Sequence, residues 1–372
     1  MNSQLFEPLR IGGLTLDNRI IIAPMCQYSA EDGSATDWHM IHLGHLSLSG
    51  AGLLILEATA VSPEGRISPQ DLGLYSDANE AALRPVLASL RRHSPMPIAI
   101  QLAHAGRKAS TLAPWDGGGQ IPADAPDGWR TVAPSAVPHA AGDAPPSALS
   151  KSAVDRVRED FAAAAERAGR LGFDGIEIHM AHGYLLHEFL SPLSNRRSDE
   201  YGGGLENRMR FPVEVFDAVR GAFPPERPVW FRVSATDWVP GGWDVESTIE
   251  LSKVLKDRGA AAVHVSSGGV STSQNIPFGP GYQVEFAERV RAGSGLLTIA
   301  VGLITDPGQA EAVIAEGRAD AVALARAMLY DPRWPWHAAA HLGAKVRAPK
   351  QYWRCQPADQ KALFVGPGLS KP

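Results

Sequence analysis

The chain has 372 residues, 44% hydrophobic and 20% charged, which is globular composition and excludes a disordered or fibrous protein. Its net charge of −5 gives no general attraction for nucleic acid or an anionic membrane. Two cysteines, Cys26 and Cys355, make neither a disulfide framework nor a Cys-rich zinc site.

At about 150 residues per domain the length suggests two or three domains, although α/β barrels often run much longer as one. The first ten residues contain Glu7 and Pro8 and few apolar side chains, so no signal peptide is expected. The longest apolar stretch, near Leu53, is interrupted by Glu57, which argues against a membrane span. The expected location is the cytoplasm.

In chain order, strands are expected at Arg19–Ala23, Leu53–Ala60, Ile98–Leu102, Gly175–His179, Val229–Val233, Ala262–Ser266, Leu297–Ala300 and Ala321–Leu324. Most are almost continuously apolar, as parallel strands buried on both faces are. Helices are expected at Asn79–Arg92, Ala153–Leu171, Asn207–Phe223, Val245–Arg258 and Asp306–Glu316. Asp244 and either Thr305 or Asp306 stand at N-cap positions, and Gly172 and Gly259 stand where helices should stop. The alternation predicts a single (β/α)8 TIM barrel. A doubly wound sheet is the rival, but no G-x-G-x-x-G occurs, and the turn after the first strand is Pro24-Met25-Cys26-Gln27.

Residues 103–150 break the rhythm, with 7 Pro and 6 Gly in 48 residues. Following the third strand, this is an insertion in a βα loop, on the face where barrel active sites lie. Trp115 and Trp129 favour a structured cap over a plain surface excursion. The expected layout is a barrel over 1–345, capped by 103–150, and a tail over 346–372.

Polar residues mark the barrel mouth. His179 ends the fourth strand, and His182 and Tyr184 open the next loop. His179 alone would read as a satisfied core histidine. The trio can instead donate hydrogen bonds to one substrate oxygen and supply a proton. Arg232, inside the fifth strand, needs either a carboxylate such as Glu177 or a bound ligand. Gly268-Gly269, Gly302 and Arg326 follow the last three strands and suggest a phosphate cradle. A metal-dependent barrel hydrolase is the alternative, raised by His39, His42, His45 and His104. His187-Glu188 lacks the second histidine of H-E-x-x-H, and no carboxylate cluster completes a metal site, so none is expected.

Four motifs then carry a family resemblance: residues 19–28 (RIIIAPMCQY), 101–108 (QLAHAGRK), 179–184 (HMAHGY) and 191–208 (SPLSNRRSDEYGGGLENR). From about Leu5 to Arg354 the chain resembles the Old Yellow Enzyme family of FMN ene-reductases. Cys26 and the sequence QYWR at 351–354 resemble its thermophilic-like branch. The resemblance implies bound FMN, NADPH or NADH as hydride donor, and enone or nitro substrates. It implies that Pro24, Met25, Cys26, Ala58 and Gln101 line the isoalloxazine, that Arg232 faces its N1/O2 edge, and that Gly269, Gly302 and Arg326 hold the phosphate. His179 and His182 would grip the substrate oxygen, Tyr184 would be the proton donor, and Tyr28 would border the substrate. Tyr352, Trp353 and Arg354 are residue types favoured at interfaces. The resemblance adds that Arg354 enters the substrate pocket of a neighbouring subunit, which implies a homodimer or a tetramer. Trp353 stands beside that arginine and competes for the place.

Overall fold

In the computed structural model, which describes residues 3–366, eight parallel strands close into a barrel in chain order. They are β1 Ile20–Ile22, β2 Leu53–Ala60, β3 Ile98–Ala103, β4 Gly175–Met180, β5 Val229–Ser234, β6 Val263–Ser266, β7 Thr298–Ala300 and β8 Ala321–Leu324. The last pairs with the first through Val322 and Ile20. Each strand lies under helices on one side and faces the lumen on the other, so every strand residue is buried. That is why the strands read as unbroken apolar runs.

The surrounding helices are α1 Asp37–Ser47, α2 Asp77–His93, α3 Lys151–Leu171, α4 Leu205–Ala222, α5 Val245–Asp257, α6 Val284–Ser294, α7 Pro307–Ala315 and α8 Trp334–Leu342. Short helices at Leu185–Leu190 and Arg326–Tyr330 precede α4 and α8. Asp244 caps α5 by accepting from the Ser247 N–H, and Asp306, not Thr305, caps α7 by accepting from the Gln309 N–H. Neither α6 nor α8 is legible as a helix in the sequence. In α8, Pro335 reads as a breaker, but it stands in the first turn, where it has no helical N–H to lose.

The barrel itself gives two apolar cores. One fills the annulus between barrel and helices. The other fills the lumen, where Ile21, Leu53, Ile55, Ile299 and Ala321 meet Leu9, Ile11 and Leu16. Those three belong to an N-terminal hairpin, Leu9–Ile11 paired with Leu14–Leu16, which closes the foot of the barrel. The upper lumen is polar. A bulge between Leu56 and Ala58 brings Ala58 into register with Gln101, which pairs in turn with Glu177 and then Trp230. One layer up, His179, Arg232 and His264 stand in register.

Segment 103–150 contains no long element, only short 3-10 turns and a two-residue strand pair, Val132–Ala133 with Ser147–Ala148. It packs on the mouth side. Trp115 meets the Tyr28 ring edge-on at 5.4 Å, and the Trp129 indole N–H donates to the Glu64 carbonyl. The tail folds onto the outside of its own chain. Trp336 of α8 packs with Val346, Leu363 and Phe364, and the turn Lys350–Cys355 sets Tyr352 against Trp336. Residues 367–372 of the expected tail lie outside the described residues. Among the described residues no helix is long and apolar enough to cross a membrane.

Candidate active site

The mouth is organised by hydrogen bonds that fix which ring nitrogen carries each proton. The Ala181 N–H donates to His179 Nδ1 (3.2 Å), so the His179 proton sits on Nε2. That Nε2 lies 3.3 Å from His182 Nδ1, and His182 Nε2 lies 2.7 Å from Ser266 Oγ. The network therefore assigns one directed chain, His179 to His182 to Ser266. Burial holds both imidazoles well below their usual pKa, with Arg232 nearby adding to the effect, so both are neutral at pH 7. The Tyr184 ring stands edge-on to His179, 5.0 Å between centroids. Burial pushes its phenol well above the usual range, with Cys26 and Tyr28 near enough to contribute. Tyr184 is thus a neutral acid facing two neutral donors.

The loop carrying His182 and Tyr184 is held from several sides. The His182 N–H donates to Ser234 Oγ at the end of β5 (2.9 Å). The Gly183 N–H donates to His187 Nδ1, and His187 Nε2 meets the buried Asp237 carboxylate at 2.9 Å. Lys108 Nζ donates to the carbonyls of His182 (2.8 Å) and Gly269 (3.1 Å), and lies 5.2 Å from the centre of the Tyr184 ring. Burial lowers the Lys108 amine to about 8, which leaves it mostly charged at pH 7. Lys108 lies inside a motif legible in the sequence, but nothing there indicates its reach. Ser266 is signalled only as a polar residue ending an expected strand, and Ser234, just past the expected Val229–Val233, carries no signal.

The opposite wall is the segment after β1. Pro24, Met25, Cys26 and Tyr28 are half-buried. The bulge in β2 turns Glu57 toward α1, where it accepts from the Gln27 N–H (2.9 Å) and lies 3.4 Å from His39. That anchor sets Cys26 close to the backbone of Ala58. Burial, with Asp71 and Glu57 nearby, pushes the Cys26 thiol well above its usual range, so it is uncharged. His39 thus serves Glu57, His42 is buried and His45 exposed. Among the described residues no group of three or more His, Cys, Asp or Glu is placed to hold a metal ion.

Arg232 has no ion pair with Glu177. Glu177 instead accepts from Gln101 Nε2 (2.7 Å) and Trp230 Nε1 (2.8 Å) and meets His264 Nδ1 at 2.9 Å. Arg232 Nε is buried without a partner. Tyr282 is half-buried, and burial raises its phenol against the opposing pull of Arg326 and Arg232. Arg326 is exposed at the start of its short helix, and Gly302, just past β7, has φ +129°. Gly269 is differently engaged. Its N–H donates to Gln274 Oε1 (2.6 Å), and its carbonyl oxygen would lie 2.1 Å from a Cβ on Gly183. Here it spaces two loops.

The profile of the NADH:flavin oxidoreductase / NADH oxidase family matches residues 4–345. The chain belongs to this family, the Old Yellow Enzyme family. An NADPH dehydrogenase of Geobacillus thermodenitrificans is 45% identical over 356 residues, covering 95% of this chain and 99% of the relative. An NADH:flavin oxidoreductase of Gibberella zeae is 44% identical over 367 residues, covering 94% and 88%. Among solved structures, morphinone reductase in complex with tetrahydroNAD superposes with a TM-score of 0.75 at 32% identity over the whole of both chains. The chain is therefore a flavin oxidoreductase, with FMN as cofactor and a nicotinamide as electron donor. Its own residues fit that cofactor. Arg232 offers an unpartnered buried cation at the bottom of the mouth, and Arg326 offers an exposed one at the rim. Such a pair suits a molecule with an electron-rich ring at one end and a phosphate at the other.

Proposed function

We propose that this flavin oxidoreductase is an NADPH-dependent ene-reductase acting on activated C=C bonds of α,β-unsaturated carbonyl or nitro compounds. The observation that carries the reading is the meeting of His179, His182 and Tyr184, all neutral, above an unpartnered Arg232. The curated relatives named NADPH dehydrogenase support the choice of donor. FMN, when bound, supplies the two-electron hydride chemistry that links a nicotinamide to the double bond.

The protein side chains divide the remaining work. Arg232 and Gln101 hold the ring, Pro24, Met25, Cys26 and Ala58 border it, and Gly302 and Arg326 take the phosphate; Gly269 contributes by setting the loop spacing. His179 and His182 turn their Nε2–H groups from each other and from Ser266 to a substrate oxygen, whose growing negative charge they stabilise. Tyr184 gives its proton to the carbon next to the activating group. Tyr28, braced by Trp115, borders the substrate. Arg354 completes the pocket of a second subunit in a homodimer or tetramer. Its exposure, and the exposed Ile41, Leu329, Tyr330 and Tyr352 on α1, the helix before α8 and the tail, support that arrangement.

The test is spectroscopic. Purified protein should be yellow, bleach anaerobically with NADPH and regain colour with cyclohexenone. Tyr184→Phe should slow the second phase by roughly 10²-fold and leave the first much less affected. A colourless protein that takes up no added FMN defeats the reading, and equal slowing of both phases removes Tyr184 as the acid.

A further inference from the structure

Beneath the mouth lies a polar cluster that the reaction does not use directly. Glu177 is fully buried in the lumen, and its two oxygens receive three contacts, from Gln101 on β3, Trp230 on β5 and His264 on β6. An apolar lumen would be simpler to fold, because a buried carboxylate needs every one of its bonds to offset desolvation. Two residues link this cluster to the mouth. Gln101 is one of the side chains assigned to the flavin ring. Arg232 is in register with His264 and lacks an ion-pair partner of its own. Among the described residues the carboxylate of Glu177 is the foremost negative charge acting on Arg232, ahead of Tyr282, Cys26 and Tyr184, which are neutral when protonated. Burial acts to raise Glu177, but the contact with His264, the charge of Arg232 and the Trp230 N–H outweigh it and hold its pKa below the usual value. Burial and Arg232 hold His264 itself below its usual value, so at neutral pH it is an uncharged donor and the negative charge on Glu177 is left to act on Arg232.

We propose that Glu177 is the positioning residue and counter-charge of the flavin pocket: it orients Gln101 and offsets Arg232, and so sets both the hold on FMN and the reduction potential of the bound cofactor. The inference rests on the ene-reductase reading of the same site. A bare arginine at the ring edge would favour the more negative, reduced form of the cofactor strongly. A carboxylate one layer below partly cancels that field, because charges buried in a low dielectric act over several ångströms.

Two substitutions separate charge from reach. Glu177→Gln removes the charge but can still accept from Gln101. The holoprotein should keep FMN, and its midpoint potential, measured by dye-equilibrated reduction, should shift to more positive values. Glu177→Asp keeps the charge but withdraws it by one methylene. The potential should stay close to that of the parent, while apoprotein should bind FMN about tenfold more weakly, the loss of one charge-assisted bond. A structural role alone would not produce this crossed pattern. An unchanged potential in Glu177→Gln overturns the proposal. If that variant fails to fold, Glu177→Asp decides alone, and an unchanged FMN dissociation constant overturns it. A parent protein that takes up no FMN would instead defeat the functional reading.

Discussion

A buried carboxyl with one bare oxygen should make the chain less stable as the medium becomes alkaline. Glu188 is such a group: Oε1 accepts from the Arg107 N–H, and Oε2 is buried without a partner. Burial pushes its pKa from 4.5 up to about 8, against the pull of Arg107 and Lys108. Between those values the folded chain retains a proton that the unfolded chain has lost, so stability falls as pH rises through the window. Each unit is worth about 1.4 kcal/mol. Glu188→Gln imitates the protonated acid. It should match the parent near pH 4.5 and exceed it in stability above about pH 8, as urea unfolding at a series of pH values would show. A constant difference across the range would mean that Glu188 does not titrate there. The same scale shows what a sequence conveys about a site. His179, His182, Tyr184 and Arg232 are legible because polar residues at the ends or in the middle of apolar strands demand an explanation. The partners that orient them are not legible. Lys108, Ser234 and Ser266 lie far apart in the chain, and their types are ordinary in loops.

Close approach of two backbones sets the geometry of the mouth. Gly183 has φ +74°, and a Cβ there would lie 2.1 Å from the Gly269 carbonyl oxygen. Gly203, with φ +80°, has nothing within 4 Å. Gly203→Ala should therefore cost only left-handed backbone strain, about 1–2 kcal/mol. Gly183→Ala should cost more and also move His182 and Tyr184, so thermal unfolding and turnover should both suffer. Equal losses in the two variants would show that the loops part freely. The elements themselves were uneven in legibility. All eight barrel strands were readable, because burial on both faces forces continuous apolar runs. The hairpin Leu9–Leu16 was not, because three-residue strands are too short to show alternation. The bulge at Glu57 was also hidden, since a bulge leaves no mark of its own in the residue pattern.

At the scale of the whole molecule, the proposal that Arg354 serves a neighbour has a direct test. Subunits carrying Tyr184→Phe, mixed with subunits carrying Arg354→Ala, form hybrid pairs with one doubly defective site and one intact site. Verified hybrids should recover part of the activity that both parents lack. No recovery, or full activity from a monomer, would return the tail to a packing role on its own barrel. The barrel and the cap segment were visible from strand rhythm and from the Pro and Gly density of 103–150. The course of the tail was not, because its packing depends on Trp336 and Phe364, which are 28 residues apart, finding each other.

The tail is also closed at its neck. Val346–Arg347 pairs with Phe364–Val365, and Arg347 is tied to Asp17 at 2.7 Å. Everything between hangs from a stem fastened to the outside of α8 and to the foot of the barrel. Such a segment is an interchangeable cassette. Its tip touches α8 through Tyr352 and Trp353, not the barrel lumen, so its sequence can vary without disturbing the lumen. On the proposed role of Arg354, substrate preference would be revised at residues 349–362 while the barrel beneath is inherited unchanged.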